Sequence, residues 1–117
     1  MKFYVKKNFI LIALVFFSLN SLFGANTDSL LVALQEAVNK NDIDKQHEIY
    51  QKLGYEFDAV LNFNKALDYY KQGLSLAKDQ ELKAKYLNKI GQVFVDSTNY
   101  IQALKYLKES ARIHNDL

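Results

Sequence analysis

The sequence predicts an all-α protein, a solenoid of antiparallel helix pairs with about five helices. Three observations carry this expectation. The 117 residues contain no proline and only four glycines, while half are hydrophobic, a balance that favours helices over turn-rich β structure. Apolar residues recur at three- and four-residue spacing, the period of an amphipathic helix. The chain also repeats itself. At an offset of 37 residues Leu53-Gly54-x-x-Phe57 falls on Ile90-Gly91-x-x-Phe94, Asn62 on Asn99, Ala66 on Ala103, Leu67 on Leu104, Tyr69 on Tyr106 and Leu76 on Ile113, without a gap. A repeat of this length is the mark of stacked supersecondary units.

Taken in order, Met1–Ala25 has the layout of a secretory signal peptide: Lys2, Lys6 and Lys7, then the apolar run Phe9–Phe17, then a small-residue exit at Gly24-Ala25. The strict apolar run is shorter than the roughly 20 residues of a membrane span. Cleavage after Gly24 or Ala25 is the expectation, with residues 8–25 retained as an inner-membrane anchor as the alternative. Either way the repeats, 26–117, are expected outside the cytoplasmic membrane, in the periplasm or cell envelope. Leu30, Leu31, Ala33, Leu34, Ala37 and Val38 predict a helix over Ser29–Lys40, capped by Thr27 or Asp28. This reads as a half repeat, 28–40. Repeat one, 43–78, pairs a helix over Ile43–Ala59 (stripe Ile49, Tyr50, Leu53, Gly54, Phe57) with one over Phe63–Lys78 (Ala66, Leu67, Tyr70, Leu74, Ala77), Asn62 being the N-cap between them. Repeat two, 81–115, pairs Glu81–Val95 with Tyr100–Asn115. There Asn99 and Gln102 have the spacing of a capping box.

Tyr50-x2-Leu53-Gly54-x2-Phe57 followed by Ala66-x3-Tyr70 resembles the tetratricopeptide repeat signature, and Leu87-x2-Ile90-Gly91-x2-Phe94 followed by Ala103-x3-Leu107 is the second copy. The small residues Gly54, Ala66, Gly91 and Ala103 belong where two helices cross. The period of 37 exceeds the family's usual length of about 34, and the proline that usually ends a unit is absent. The resemblance implies a non-enzymatic scaffold that binds a protein or peptide on its concave side. Its first helices place Glu48, Gln51, Lys52, Tyr55 and Asp58 of one repeat, and Lys85, Asn88, Lys89 and Gln92 of the other, along the groove. Lys85 and Lys89, one turn apart, resemble the lysines with which clamp-type members hold carboxylates. Tyr55 is the better contact, since aromatic side chains dominate interface hot spots. The long period and the leader are similar to extracytoplasmic repeat arrays preceding bacterial sensor histidine kinases and helix-turn-helix regulators. A sensory segment of such a signal-transduction protein is the alternative function. Two and a half units also leave an apolar face at Leu107–Ile113, which invites self-association or a longer array.

No catalytic constellation stands out. There is no cysteine, hence no thiol chemistry or Cys-ligated zinc. No serine has a base at a recognisable spacing, and the glycines are too scattered for a phosphate loop. No cofactor, metal or catalytic residue is expected. His47 shares a helix face with Asp44 and Glu48, a trio that can hold a metal loosely, but it reads better as part of a solvated helix start. His114 reads as a frayed-end residue. Without the three leader lysines, 12 basic side chains face 13 acidic ones. That surface offers nucleic acid no electrostatic footprint.

Overall fold

The computed structural model describes residues 26–117, which form five α-helices. These are α1 (26–39), α2 (Ile43–Ala59), α3 (Phe63–Leu76), α4 (Gln80–Asp96) and α5 (Tyr100–Asp116). There is no strand among the described residues. The expectations for Met1–Ala25 lie outside the described residues. The all-α helical-repeat architecture expected from the periodicity is present, with the ends of α2 to α5 within about two residues of those read from the pattern, the usual uncertainty of helix ends. The first helix departs further: residues 26–28 are already helical, so Thr27 and Asp28 lie inside α1 and are not its cap.

Each of the last four helices starts on an acidic or amide side chain. Asp42 accepts from Lys45 N at 3.0 Å, Asn62 from Lys65 N at 3.4 Å, Asp79 from Glu81 N at 2.6 Å, and Asn99 from Gln102 N at 3.4 Å. Each bond satisfies one of the free donors in a first helical turn. Three turns share one further device. Asn62 N donates to Phe57 O at 2.8 Å, Asn99 N to Phe94 O at 2.8 Å and Asp42 N to Ala37 O at 2.9 Å. This six-residue closure is a Schellman motif, and its last residue is also the N-cap of the next helix. The residue before that cap turns left-handed: Asn41 at φ 52°, Leu61 at φ 62° and Thr98 at φ 62°. The link from α3 to α4 differs. Ala77 is extended, at φ −69° and ψ 125°.

Short turns make neighbours antiparallel, and α2 packs on α3, α3 on α4 and α4 on α5. Ile49, Leu53 and Phe57 of α2, Ala66 and Tyr70 of α3, and Tyr86, Ile90 and Val93 of α4 form one buried core, with Ala37 of α1 joining it. A smaller cluster of Ala84, Leu87 and Ile113 closes the second repeat. The glycines of the signature do mark close approaches, though against large residues. A Cβ built on Gly54 overlaps the Tyr70 ring, and one on Gly91 would lie 2.7 Å from Leu107 Cδ2. Tyr70 and Leu107 are themselves 37 residues apart, so each repeat seats a bulky side chain of its second helix on the glycine of its first. Gly73 does the same between repeats, facing the Tyr86 ring. Its counterpart Ser110 is fully buried and donates to Ala84 O at 2.7 Å.

The face expected to be open on α5 is only partly so. Ile113 is buried and Leu107 sits half-buried on Gly91. The uncovered residues are Tyr100, Ile101, Leu104 and Ala111.

Candidate functional site

α2 and α4 are the first helices of the two repeats, and their outward faces carry every residue expected in the groove. Glu48, Lys52, Tyr55, Lys85, Asn88 and Gln92 are exposed; Gln51, Asp58 and Lys89 are half-buried. They divide into two groups.

The first group is internally paired. Glu48 accepts from Lys52 at 2.8 Å and from Lys45 at 3.2 Å. The two lysines hold its carboxyl below the usual carboxylate range. Such exposed pairs contribute little stability. Gln51 Nε2 donates to His47 O at 3.2 Å. Beneath them lies the contact that joins the repeats. Tyr86, fully buried on α4, places its Oη 2.8 Å from His47 Nδ1 and donates to the His47 carbonyl at 3.3 Å. Both bonds are made together when His47 Nδ1 carries the proton. Burial pushes the Tyr86 hydroxyl up to about 12 and pulls His47 below its ordinary value. His47 is therefore not part of a solvated helix start, as its polar neighbours suggested. It is 7% exposed and its ring is turned to Tyr86, so it does not form a trio with Asp44 and Glu48. No group of three metal-ligating side chains occurs among the described residues.

The second group is assembled across the repeats around Tyr70. This α3 residue is 3% exposed. Lys89 Nζ of α4 lies 5.8 Å from its ring centre, within cation–π range. Burial, with Asp58 and Tyr55 nearby, raises its hydroxyl to about 12. Tyr55 stands 66% exposed beside it. Asp96 lies near Asp58, whose pKa rises to about 6, first by desolvation and then by the neighbouring Asp96 carboxylate. Asp58 Oδ1 is buried with no donor. Both carboxylates sit at helix C-termini whose last turns hold no basic residue, where the helix dipole opposes a negative charge. Asp58 and Asp96 each stand at the C-terminal end of the first helix of a repeat. Their meeting depends on the 38-residue step between them, which the 37-residue alignment hides.

The lysine pair is less clearly a carboxylate clamp. Lys85, Asn88 and Lys89 do share a groove of about 400 Å³, but Glu81 and His114 line it as well, so a carboxylate is already present. His114, expected at a frayed end, lies in the last turn of α5 and forms one wall.

The charge at Asp58 has a measurable consequence. Its folded pKa lies above the ordinary value of 3.8, so the folded chain binds the proton more tightly. Stability is gained as pH falls through about 6 and is fully gained near 4. His47 acts in the opposite sense: its depressed pKa makes the fold lose stability as pH drops below its unfolded value of about 6.5. Asp58→Asn isolates the first effect. Thermal melts are expected to show the variant more stable than the parent by about 1 kcal/mol at pH 7.5, allowing for solvent screening, with the difference vanishing near pH 4.5. Equal stabilities at pH 7.5 would show that the carboxyl pair carries no strain.

Comparison with protein-family models, curated proteins and solved structures found no match.

Proposed function

We infer that this chain is an exported, non-enzymatic scaffold of tetratricopeptide type that binds a protein or peptide segment along the α2/α4 face. One observation carries the reading: Tyr55 of α2 is mostly exposed and lies near Tyr70 of α3, whose buried ring Lys89 of α4 covers at 5.8 Å. Aromatic side chains held on a rigid base are the residues that anchor interfaces. The Leu-Gly signature and its bulky partners support the family assignment. The envelope location rests on the leader sequence.

The test is capture of partners from an envelope fraction by the purified protein. Tyr55→Ala is expected to weaken capture at least about tenfold, the loss typical of a hot-spot aromatic. Lys85→Ala is expected to weaken it less, because Glu81 already neutralises part of that groove. Unchanged capture with both variants would remove the groove from consideration.

A second reading draws on the outer stripe of α5. Leu104 and Ala111 occupy the positions that on α3 are Leu67 and Leu74, and Leu74 packs against Ala84 and Leu87 of α4. A further helix fits on the stripe in the same way, from additional repeats as in sensor proteins or from a second copy.

A further inference from the structure

The antiparallel order gives the array two long edges. At one edge α2 and α4 end and α1, α3 and α5 begin within the described chain; at the other α1, α3 and α5 end and α2 and α4 begin. The edges differ in composition. Residues 26–29, 57–65 and 94–102 of the first edge hold four charged side chains, whereas 37–45, 74–82 and 114–117 of the second hold eight. The first edge instead presents apolar side chains to solvent. Val60 and Leu61 stand out from the α2–α3 turn, with Leu61 at 71%, and Tyr100 and Ile101 from the start of α5, with Ile101 at 84%.

The backbone at this edge adds a second observation. The left-handed position of a Schellman turn favours glycine or asparagine. At the charged edge that position holds Asn41, the favoured type. At the first edge it holds Leu61 and Thr98. Leu61 holds this unfavourable backbone conformation while 71% exposed. Strain and exposed apolar surface at one place point to an external contact.

The chain itself indicates what covers the edge. The described part of α1 begins at this edge, so the residues preceding it, with the apolar run Phe9–Phe17, join the array there; the inference rests on the reading in which residues 8–25 are retained and not cleaved. We propose that this edge rests on a lipid bilayer, with Val60, Leu61, Tyr100 and Ile101 set into the interfacial layer. An apolar turn at Val60-Leu61, an apolar helix start at Tyr100-Ile101 with its aromatic hydroxyl, and a low charge density suit the headgroup boundary, where tyrosines and partly buried apolar side chains are accommodated. The few charges include Asp28, Asp58 and Asp96 against Lys65, so the edge suits zwitterionic lipid and gains nothing from anionic headgroups. α2 and α4 then stand upright on the membrane, and their outward face opens sideways, along its plane. The inference does not depend on which partner that face binds.

The absence of cysteine makes the test direct. Single cysteines are introduced into the full chain by Leu61→Cys and Ile101→Cys at the first edge, and by Lys78→Cys and Asn115→Cys at the second. Each is labelled with an environment-sensitive fluorophore and reconstituted with phosphatidylcholine vesicles carrying a quencher in the acyl chains. Labels at 61 and 101 are expected to shift to the blue and to be quenched severalfold more than labels at 78 and 115. Uniformly weak quenching at all four sites overturns the proposal. So do labels at 61 and 101 that are shielded from water but not quenched by lipid, since protein would then cover the edge. Uniformly strong quenching overturns it as well, because the array would have no preferred edge. Helix content by circular dichroism checks each variant, and position 101, which lies within α5, tests the edge independently of the strained turn.

Discussion

Replacing Tyr86 with alanine is expected to destabilise the protein by about 4 kcal/mol, within the range for deleting a large buried aromatic. The ring is fully buried and bridges three helices: it grows from α4, its hydroxyl end lies over Gly73 of α3, and it bonds to His47 of α2. Domains of this size have total stabilities of about 5–15 kcal/mol, so the variant should be close to unfolding at physiological temperature. Tyr86→Phe separates the two contributions. It keeps the ring but leaves His47 Nδ1 buried without its partner, and should cost about 1–2 kcal/mol. Urea unfolding followed by circular dichroism measures both. If the two variants were equally destabilised, the hydrogen bond and not the ring would hold the repeats together.

The second large effect comes from Gly54→Ala, where the two copies of the repeat should respond differently. Alanine ordinarily improves a helix interior by up to about 1 kcal/mol relative to glycine. At Gly54 the added methyl runs into the Tyr70 ring, which is rigid, buried and covered by Lys89. A ring held on both sides cannot step aside, and overpacking of this kind costs about 1–3 kcal/mol. Gly91→Ala meets the branched end of Leu107 instead. That side chain is only half-buried and can adjust, so this variant should lie within about 0.5 kcal/mol of the parent. Parallel denaturant melts would check the contrast. Equal losses would mean that the Leu107 side of the second repeat is as tightly held as the Tyr70 side of the first.

Much of the fold was legible because its signals are local. Apolar spacing located the helices, and Asn62 and Asn99 marked two of their starts. The self-alignment located the crossings, where Gly54 and Gly91 fall. Signals that depend on the spacing between repeats were not legible. His47 lies among Asp44, Lys45 and Glu48 in sequence, and only the arrival of Tyr86 from 39 residues away makes it a buried hydrogen-bonding residue. Asp96 reads as turn chemistry next to Ser97 and Thr98 until α4 places it beside Asp58. Tyr70 matched the signature as a core residue, and it is one. Its place near Tyr55 and beneath Lys89 needs the stacking of α3 between α2 and α4. The sequence placed the expected groove residues on two helices but was blind to their grouping, since pairing within a helix follows from sequence spacing and pairing across repeats follows from their pitch.

The turns carry a mechanical implication. In the α1–α2, α2–α3 and α4–α5 turns one residue both closes the outgoing helix and caps the incoming one. A joint that shares its last residue has no slack, so α1 to α3 act as one lever and α4 with α5 as a second. The α3–α4 link, through the extended Ala77, has no such shared residue. Relative tilt between the two levers is concentrated there, and the Tyr86–His47 bond lies across that pivot as its brake.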